Sequence, residues 1–476
     1  MDVIEFLGGP PSRVGPRLGA AAPPLVVVDA RDRETRMRTY RELRRRAFVE
    51  EQRLFAGDDS DEWDEHPATV FLTALAPDGS VLGGVRIHPA REHGAELGWW
   101  RGSRLVAAGG PGLRRGEIGE ALVRAACARA LDAGAIRFDA HVQAAQVRFF
   151  TRLGWERIRE IPVAGAPLVL MRWPVRRIAE HAQATKESLG ELVGPLLPHD
   201  RWRGDDGVPV AGSDVIACTD AITPSMVDRD PAWAGWCGML VTASDLAAMG
   251  ASPVGVLDAV GGRDAAHVDS VLRGVREGAE AFDLPVLGGH TQLGVPGALT
   301  VTGLGRAAEP VPGGGGHPGD AGGVCADLEG GWRPGYHGRQ WDSTSRRTRA
   351  ELRPMLDLVR ETRPRAAKDA SMAGIIGTVA MLAEASGCGA EIDIAHIPRP
   401  DSALMADWLT CFPGFGVVLA EAPGAAAPRG GGAVCAGCGK LTAQAGVRLR
   451  WPDDEMTTAI ATEAITGLGP AIGGSP

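Results

Sequence analysis

Four short clusters of acidic or metal-capable residues recur between residues 204 and 291. They are Gly204-Asp205-Asp206-Gly207, Thr219-Asp220, Ser244-Asp245 and Gly288-Gly289-His290-Thr291. Carboxylates at successive element ends, with glycines beside them, can gather Mg²⁺ ions around a bound triphosphate. A Walker A loop is missing, because Gly439-Lys440 is followed by Leu441 and not by Ser or Thr. Any nucleotide would therefore be held by carboxylates.

The composition excludes several classes of partner. The 476 residues carry a formal net charge of −9 without a basic stripe, so we expect neither nucleic acid nor a membrane surface as partner. No apolar run is long enough to span a bilayer, and the N-terminus lacks a basic start, which favours a cytoplasmic protein. Eight mostly scattered cysteines fit a reducing compartment. Cys435-Ala436-Gly437-Cys438 lacks a second ligand pair for zinc.

Alternating strand and helix patterns, typical of α/β folds, must position these clusters, and they divide the chain into units. An alternating unit over 25–173 follows an N-terminal extension at 1–24. A charged linker at 174–186 leads to a second alternating unit over 187–308. Residues 309–348 are a glycine-rich connection, within which 311–338 is interpreted as a mobile loop or a divergent connection. A third region, 349–476, begins helical and ends in short strands.

Two motifs in the first unit resemble those of GNAT-type N-acetyltransferases. The segment 114–122 resembles the acetyl-CoA motif Arg/Gln-x-x-Gly-x-Gly/Ala, and 142–155 resembles the second signature, which ends in Gly-aromatic. The resemblance implies a GNAT fold that binds acetyl-CoA or another acyl-CoA at a helix N-terminus. The implied binding residues are Arg114, Arg115, Gly116, Ile118 and Gly119.

The first unit departs from the GNAT pattern at three positions. Glu117 occupies the first glycine position, Ala145 replaces the usual Asn, and Phe150 stands where many members carry a proton-donating Tyr. Transfer to an amine would then need a base, and the candidates are Glu51, Glu92, Glu96 and His141, of which we select Glu51 and His141 as catalytic. The alternative interpretation is a GNAT-shaped domain with weak or no acetyl transfer.

The acidic clusters of the second unit resemble those of the PurM-like superfamily, which includes aminoimidazole ribonucleotide (AIR) synthase and thiamine-monophosphate kinase. Ser244–Pro253 is a long match, and 368–374 resembles the signature that opens the second half of the fold. His290 replaces an acidic residue of several branches. Met372 replaces the acidic residue of thiamine-monophosphate kinases, so that substrate is not carried over.

The resemblance implies an α/β domain whose strands pair with those of a second copy in a shared barrel, followed by an α+β domain. It therefore implies a homodimer. ATP would lie in the cleft, and Lys368 and Asp369 are the candidate catalytic residues. The implied Mg²⁺ ligands are Asp205, Asp206, Asp220 and Asp245. The implied nucleotide-binding residues are Gly204, Thr219, Gly289, His290 and Thr291.

These assignments predict a bifunctional transferase that acts on small molecules. One module would use acyl-CoA to acylate an amine, and the other would use Mg·ATP to phosphorylate or activate a small metabolite. Two alternatives stay open. Either only the ATP module is catalytic and the GNAT-like domain is a binding or dimerisation platform, or the chain senses nucleotides without turnover.

Overall fold

A break after Arg176 divides the chain into two compact units, 1–176 and 177–476. The computed structural model describes residues 25–91, 96–110, 112–163, 166–425, 428, 430–462 and 464–471. The predicted N-terminal extension, 1–24, lies outside these residues. In the part of the chain that is described, no helix is both long and apolar enough to cross a membrane.

In its described residues, the first unit is a seven-stranded sheet with three α-helices. Its strands are β1 (Val26–Asp29), β2 (Val70–Leu75), β3 (Val81–Pro89), β4 (Trp99–Ala107), β5 (Arg137–Gln143), β6 (Glu156–Val163) and β7 (Ala166–Trp173). Its helices are α1 (Glu34–Arg44), α2 (Arg115–Asp132) and α3 (Val147–Arg152). The strand order is β1-β2-β3-β4-β5-β7-β6. Helix α2 buries Ile118, Leu122 and Ala126 in the core, as the helical spacing predicts.

A split between two neighbouring strands opens a cavity in this sheet. β4 and β5 are parallel and paired only from Trp99 with Arg137 to Gly102 with Ala140. Beyond that point Arg104 adopts a positive φ of 53°, which distorts β4. Helix α1 continues into a π-helical segment, Arg45–Glu51, a rare geometry that is frequent at functional sites. The sheet therefore has a local opening beside an irregular helix.

The N-terminal half of the second unit is a five-stranded sheet covered by helices on one face. Its elements are α4 (Arg177–Lys186), α5 (Leu189–Val193), β8 (Val208–Pro209), β9 (Val215–Ile222), α6 (Pro224–Arg229), α7 (Pro231–Ala248), β10 (Ser252–Gly262), α8 (Ala265–Phe282), β11 (Val286–Leu293) and β12 (Ala298–Arg306). The strand order is β11-β10-β12-β9-β8. Side chains such as Val256 and Val301 pack in the buried core beneath α7 and α8. On the other face Leu257 is exposed, and every residue of β11 is exposed.

The C-terminal half is a second seven-stranded sheet. Its elements are β13 (Ala321–Ala326), β14 (Gly331–Trp332), β15 (Trp341–Asp342), α9 (Arg349–Leu356), α10 (Leu358–Thr362), β16 (Ala366–Asp369), α11 (Gly374–Ala385), β17 (Gly389–Asp393), α12 (Met405–Trp408), β18 (Gly416–Glu421), β19 (Val434–Thr442), β20 (Val447–Arg450) and β21 (Met456–Ile460). The order is β16-β18-β13-β19-β17-β20-β21, with β14 and β15 forming a separate pair.

Two segments differ from the sequence-based expectation. The predicted linker contains α4, because Ile178 and Ala182 form an apolar stripe that is buried within this unit. The predicted glycine-rich connection contains β13, which lies inside the sheet between β18 and β19. Its glycines weaken the sequence signal for a strand, while backbone pairing on both sides holds it in place.

Cysteine pairing is a further difference. Cys325 of β13 and Cys435 of β19 are directly opposite each other and form a disulfide, whereas scattered cysteines predict free thiols. Cys438 is a free and buried residue of the same strand β19. The segment 435–438 therefore lies within a strand, with its first cysteine disulfide-bonded and its second free.

Candidate functional site

A lysine and an aspartate connect the acidic turn at 204–206 to strand β16. Gly204 has a φ of 76°, which starts the turn. Lys368 Nζ donates hydrogen bonds to Asp206 Oδ1 at 2.8 Å and to the Gly204 carbonyl oxygen at 2.9 Å. The Asp369 backbone N–H donates to Asp206 Oδ2 at 2.9 Å. Lys368 and Asp206, which are 162 positions apart in sequence, are therefore adjacent.

Three carboxylates meet at this junction. One oxygen each from Asp206, Asp245 and Asp369 lies within 4.8 Å of the others, and this is the one metal-capable group in the described part of the chain. Asp245 projects from α7, and Asp369 ends β16. Asp220 of β9 is outside the group, but its charge raises the pKa of both Asp245 and Asp369. Oxygen ligands at this spacing suit a hard divalent cation.

The protonation behaviour of the group shows an excess of negative charge. Burial, reinforced by the neighbouring carboxylates, raises the pKa of Asp245 and of Asp369 well above their usual range. Burial also raises the pKa of Asp205 to about 6. Both carboxylate oxygens of Asp205 are buried without a hydrogen-bond partner. A divalent cation fits at Asp206, Asp245 and Asp369, because it would relieve the repulsion between these carboxylates.

Lys368 remains protonated in this setting. Burial lowers its pKa, but the carboxylates of Asp206 and Asp205 outweigh burial and raise the pKa above its usual value.

The scarcity of lysine in the composition also points to this site, although the motifs alone do not show it. Only three of the 50 Lys and Arg residues are lysines, at positions 186, 368 and 440. Two of these three carry charges that act on Asp369, namely Lys186 and Lys368.

Thr219, predicted to bind nucleotide, lies on the opposite side of its strand from the acidic group. Cys218 is buried beneath α7 while Thr219 is exposed, as the alternation of a strand requires. Thr219 Oγ1 instead lies 2.9 Å from Thr302 Oγ1 on neighbouring β12. Within one chain the motif Thr219-Asp220 therefore contributes only its aspartate to the acidic group, and nucleotide binding by Thr219 stays a prediction.

The Gly289-His290-Thr291 cluster also lies away from the aspartates within one chain. All three residues are in the edge strand β11, which is three strands from β9 and its Asp220. At the usual inter-strand spacing this separation is roughly 14 Å. Gly289 pairs with Asp258 of β10 and His290 with Ala259. One copy of the chain does not bring this cluster to the acidic group.

The first unit has a cavity of about 350 Å³ at the split between β4 and β5. Glu51 of the π-helical segment and Phe150 of α3 are on its wall. Arg115, Gly116 and Gly119, three of the predicted acyl-CoA residues, line it from the start of α2, and their binding of acyl-CoA stays a prediction. Gln52 and Gln143, which motif reading did not select, also line the cavity and hydrogen bond to each other at 2.7 Å.

The N-terminus of α2 is partly self-capped. Glu117 Oε2 accepts a hydrogen bond from the Arg114 backbone N–H at 2.8 Å, in a capping-box arrangement. Arg114 precedes the helix, and the Ile118 side chain is fully buried in the core, so Ile118 offers only its backbone. Having Glu117 in place of glycine thus has a physical effect. Its carboxylate accepts the hydrogen bond of the Arg114 N–H, a group at the helix N-terminus that a pyrophosphate would use.

The candidate bases are separated by the structure. Glu51 reaches the cavity, whereas His141 of β5 is not on its wall. Desolvation, together with the charge of Arg101, lowers the pKa of His141 to about 4, which makes it a weak base. Glu96 is exposed and does not line the cavity, and Glu92 lies outside the described residues. Glu51 is the one predicted base that the cavity contains.

Comparison with known proteins agrees with both units. Residues 36–155 match the acetyltransferase (GNAT) family, 204–307 match the AIR synthase related protein N-terminal domain, and 314–452 match its C-terminal domain. The chain therefore belongs to the AIR synthase related proteins and carries a GNAT family domain ahead of that module. The second match begins at 314, which agrees with the position of β13.

Several individual proteins are similar to parts of the chain. An uncharacterized Synechocystis protein, sll0787, is 33% identical over 227 residues, which are 46% of this chain and 70% of the relative. The thiamine-monophosphate kinase of Synechococcus elongatus is 29% identical over 130 residues, which are 25% of this chain and 39% of the kinase. T. maritima PurL complexed with FGAR shares the fold with a TM-score of 0.50 and 14% identity, covering 64% of this chain and 56% of PurL.

Proposed function

We propose that the AIR synthase related unit binds Mg·ATP at the acidic group and phosphorylates or activates a small metabolite. The observation that supports this most is the approach of Asp206, Asp245 and Asp369 to within 4.8 Å, from three distant parts of the sequence. Among the described residues, Asp245 and Asp369 are buried without a bonded cation, and buried carboxylates without a compensating ion are costly, so the arrangement favours a cation site. The family and the kinase among the relatives support the same reaction class.

The roles of the residues follow from their contacts. Asp206, Asp245 and Asp369, with Asp205 and Asp220 beside them, would hold Mg²⁺ ions. Bound Mg²⁺ supplies positive charge that neutralises phosphate oxygens during in-line transfer. Lys368 Nζ donates a hydrogen bond to one carboxylate oxygen of Asp206, and the Asp369 backbone N–H donates to the other oxygen of Asp206. These bonds orient the ligand set before nucleotide arrives.

We further propose that the GNAT family unit acylates an amine with an acyl-CoA bound in the cavity. Arg115, Gly116 and Gly119 line the cavity at the helix N-terminus that would hold the pyrophosphate. Glu51 is positioned on the same wall to take a proton from the attacking amine. Phe150 has no proton to give, so the leaving thiolate would take its proton from water.

A homodimer formed through the exposed face of the five-stranded sheet is part of the proposal. That face carries Leu257 at 43% exposure and Leu287 at 53%, and the described residues leave the outer edge of β11 unpaired. Edge strands with exposed apolar side chains favour pairing with another chain. Such pairing would bring His290 of one copy closer to the acidic group of the other. We place this dimer in the cytoplasm.

Nucleotide hydrolysis tests the main proposal. Without an acceptor, the full chain with ATP and Mg²⁺ should form ADP and phosphate slowly, because water then takes the phosphoryl group. ATP binding without any hydrolysis, equal in wild type and in Asp245→Asn, would favour the nucleotide-sensing alternative.

For the GNAT unit, calorimetry with acetyl-CoA should show binding well below millimolar concentration. Absence of acetyl-CoA binding at millimolar concentration would favour the alternative in which the GNAT unit is only a binding or dimerisation platform.

A further inference from the structure

The ammonium group of Lys368 occupies a position that a second cation would otherwise take. Its Nζ is bonded to Asp206 and to the Gly204 carbonyl oxygen, and Asp205 is the next residue of the same acidic turn. A methyl group placed on Gly313 would lie 2.5 Å from Asp205 Oδ1 and 3.1 Å from Lys368 Nζ. Both atoms therefore lie close to Gly313, on the same side of the acidic turn. The side chain of Lys368 is only 2% exposed.

We propose that Lys368 is a built-in cation that replaces one metal ion, so that the nucleotide-free site binds a single divalent ion. This inference rests on the proposed function, because it concerns the same metal group. Adjacent Asp205 and Asp206 repel each other when both are ionised, and one positive charge beside them removes that repulsion. The ammonium of lysine is a compact point charge with three donors, comparable in role to a small cation.

The remaining carboxylates define where the single ion would bind. Lys368 neutralises the charge beside Asp205 and Asp206, but Asp245 and Asp369 have no side-chain cation bonded to them in the described structure. The two carboxylates are within 4.8 Å of an oxygen of Asp206. One divalent ion at this point would compensate both, and a second ion at the Asp205 side would meet the ammonium of Lys368.

Manganese titration without nucleotide tests the inference. The loss of the free Mn²⁺ signal in electron paramagnetic resonance gives the number of ions bound per chain. Wild type should bind one ion. Lys368→Met, of similar length but neutral, should bind a second ion or bind Mn²⁺ at least tenfold more tightly, because the acidic turn then lacks a cation. Lys368→Arg, which keeps the charge, should bind one ion.

Lys440→Met is the matched control, because Lys440 is exposed on β19 and pairs with Glu391 away from the group. It should bind one ion like wild type. Binding of none or of two ions by wild type would overturn the inference, and this measurement does not depend on folding of a variant. An unchanged count and affinity in folded Lys368→Met would overturn it too. If only ATP hydrolysis fails, the proposed function is contradicted. The number of Mn²⁺ ions bound per chain still tests the inference, because it is measured without nucleotide.

Discussion

Asp245 is the residue on which the proposed phosphoryl chemistry depends most directly. It is buried on α7 and has a raised pKa because of burial and the nearby Asp369. We expect Asp245→Asn to reduce Mg-dependent ATP hydrolysis at least 100-fold, since it removes a ligand charge. In metal-free protein the same change should raise Tm, because it removes a buried repulsion. Asp269→Asn, on exposed α8, is the control and should leave both unchanged.

The pH dependence of metal binding follows from the buried carboxyls of the acidic group. The pKa of Asp205 is raised to about 6 from 3.8, and the pKa values of Asp245 and Asp369 are raised well above their usual range. A carboxyl with a raised pKa binds its proton more tightly when folded, so it contributes stability at low pH that is lost as pH rises from about 4 to 6. Mg²⁺ needs the ionised form. We expect the Mg-induced rise in Tm to be clearly larger at pH 8 than at pH 5, measured by differential scanning fluorimetry. An equal rise at both pH values would contradict this.

Glu117 should weaken acyl-CoA binding in the wild type. Its carboxylate takes the Arg114 N–H and adds negative charge at the N-terminus of α2. We expect Glu117→Ala to tighten acetyl-CoA binding about tenfold in calorimetry, at a cost of about 1 kcal/mol in stability for the lost cap. Glu120→Ala, one turn along and paired with exposed Arg124, should leave affinity unchanged. Weaker binding by Glu117→Ala would contradict the role assigned to its carboxylate.

At the scale of elements, sequence motifs predict which residues form the acidic group better than they predict the face of a strand on which each side chain lies. Asp205, Asp206, Asp220 and Asp245 were all predicted from their clusters, and the structure brings them near Asp369. Thr219 lies on the opposite face of β9 from Asp220, because one step along a strand reverses the face. Sequence periodicity gives that alternation but does not say which face carries the site. That information arises only when α7 packs on β9.

Two elements could not be predicted because their signals are weak outside the tertiary context. β13 has the sequence Ala-Gly-Gly-Val-Cys-Ala, whose glycines lower strand propensity. Pairing with β18 and β19 on its two sides overrides this. Helix α4 is rich in charge, and its two buried residues make contact with α11 only in the folded unit. Both elements are held by neighbours distant in sequence.

The docking of α4 gives an element-scale test. Ile178 is 4% exposed, and His181 of the same helix hydrogen bonds to the Met372 carbonyl oxygen at 2.8 Å beside the acidic group. We expect Ile178→Ala to destabilise the second unit by about 2–5 kcal/mol, through lost burial and a cavity. Urea denaturation followed by tryptophan fluorescence measures the shift. Gln183→Ala, on the exposed face of the helix, should shift the midpoint little.

The whole molecule is expected to self-associate through one sheet face. Leu257 and Leu287 are 43% and 53% exposed on the sheet that the helices leave uncovered. We expect the double variant Leu257→Asp, Leu287→Asp to be a 49.7 kDa monomer by light scattering, while wild type has twice that mass. Leu192→Asp, at an exposed leucine of α5, should remain dimeric. A monomeric wild type at micromolar concentration would contradict the dimer.

The burial of Lys368 has a consequence for the chemical lifetime of the protein. Amines react spontaneously with thioesters when they are accessible and unprotonated, and both conditions fail for a side chain that is 2% exposed and ion-paired. With only two other lysines in the chain, stray acylation has few places to occur. A polypeptide that carries an acyltransferase family domain thereby protects the amine at the centre of its other unit from damage.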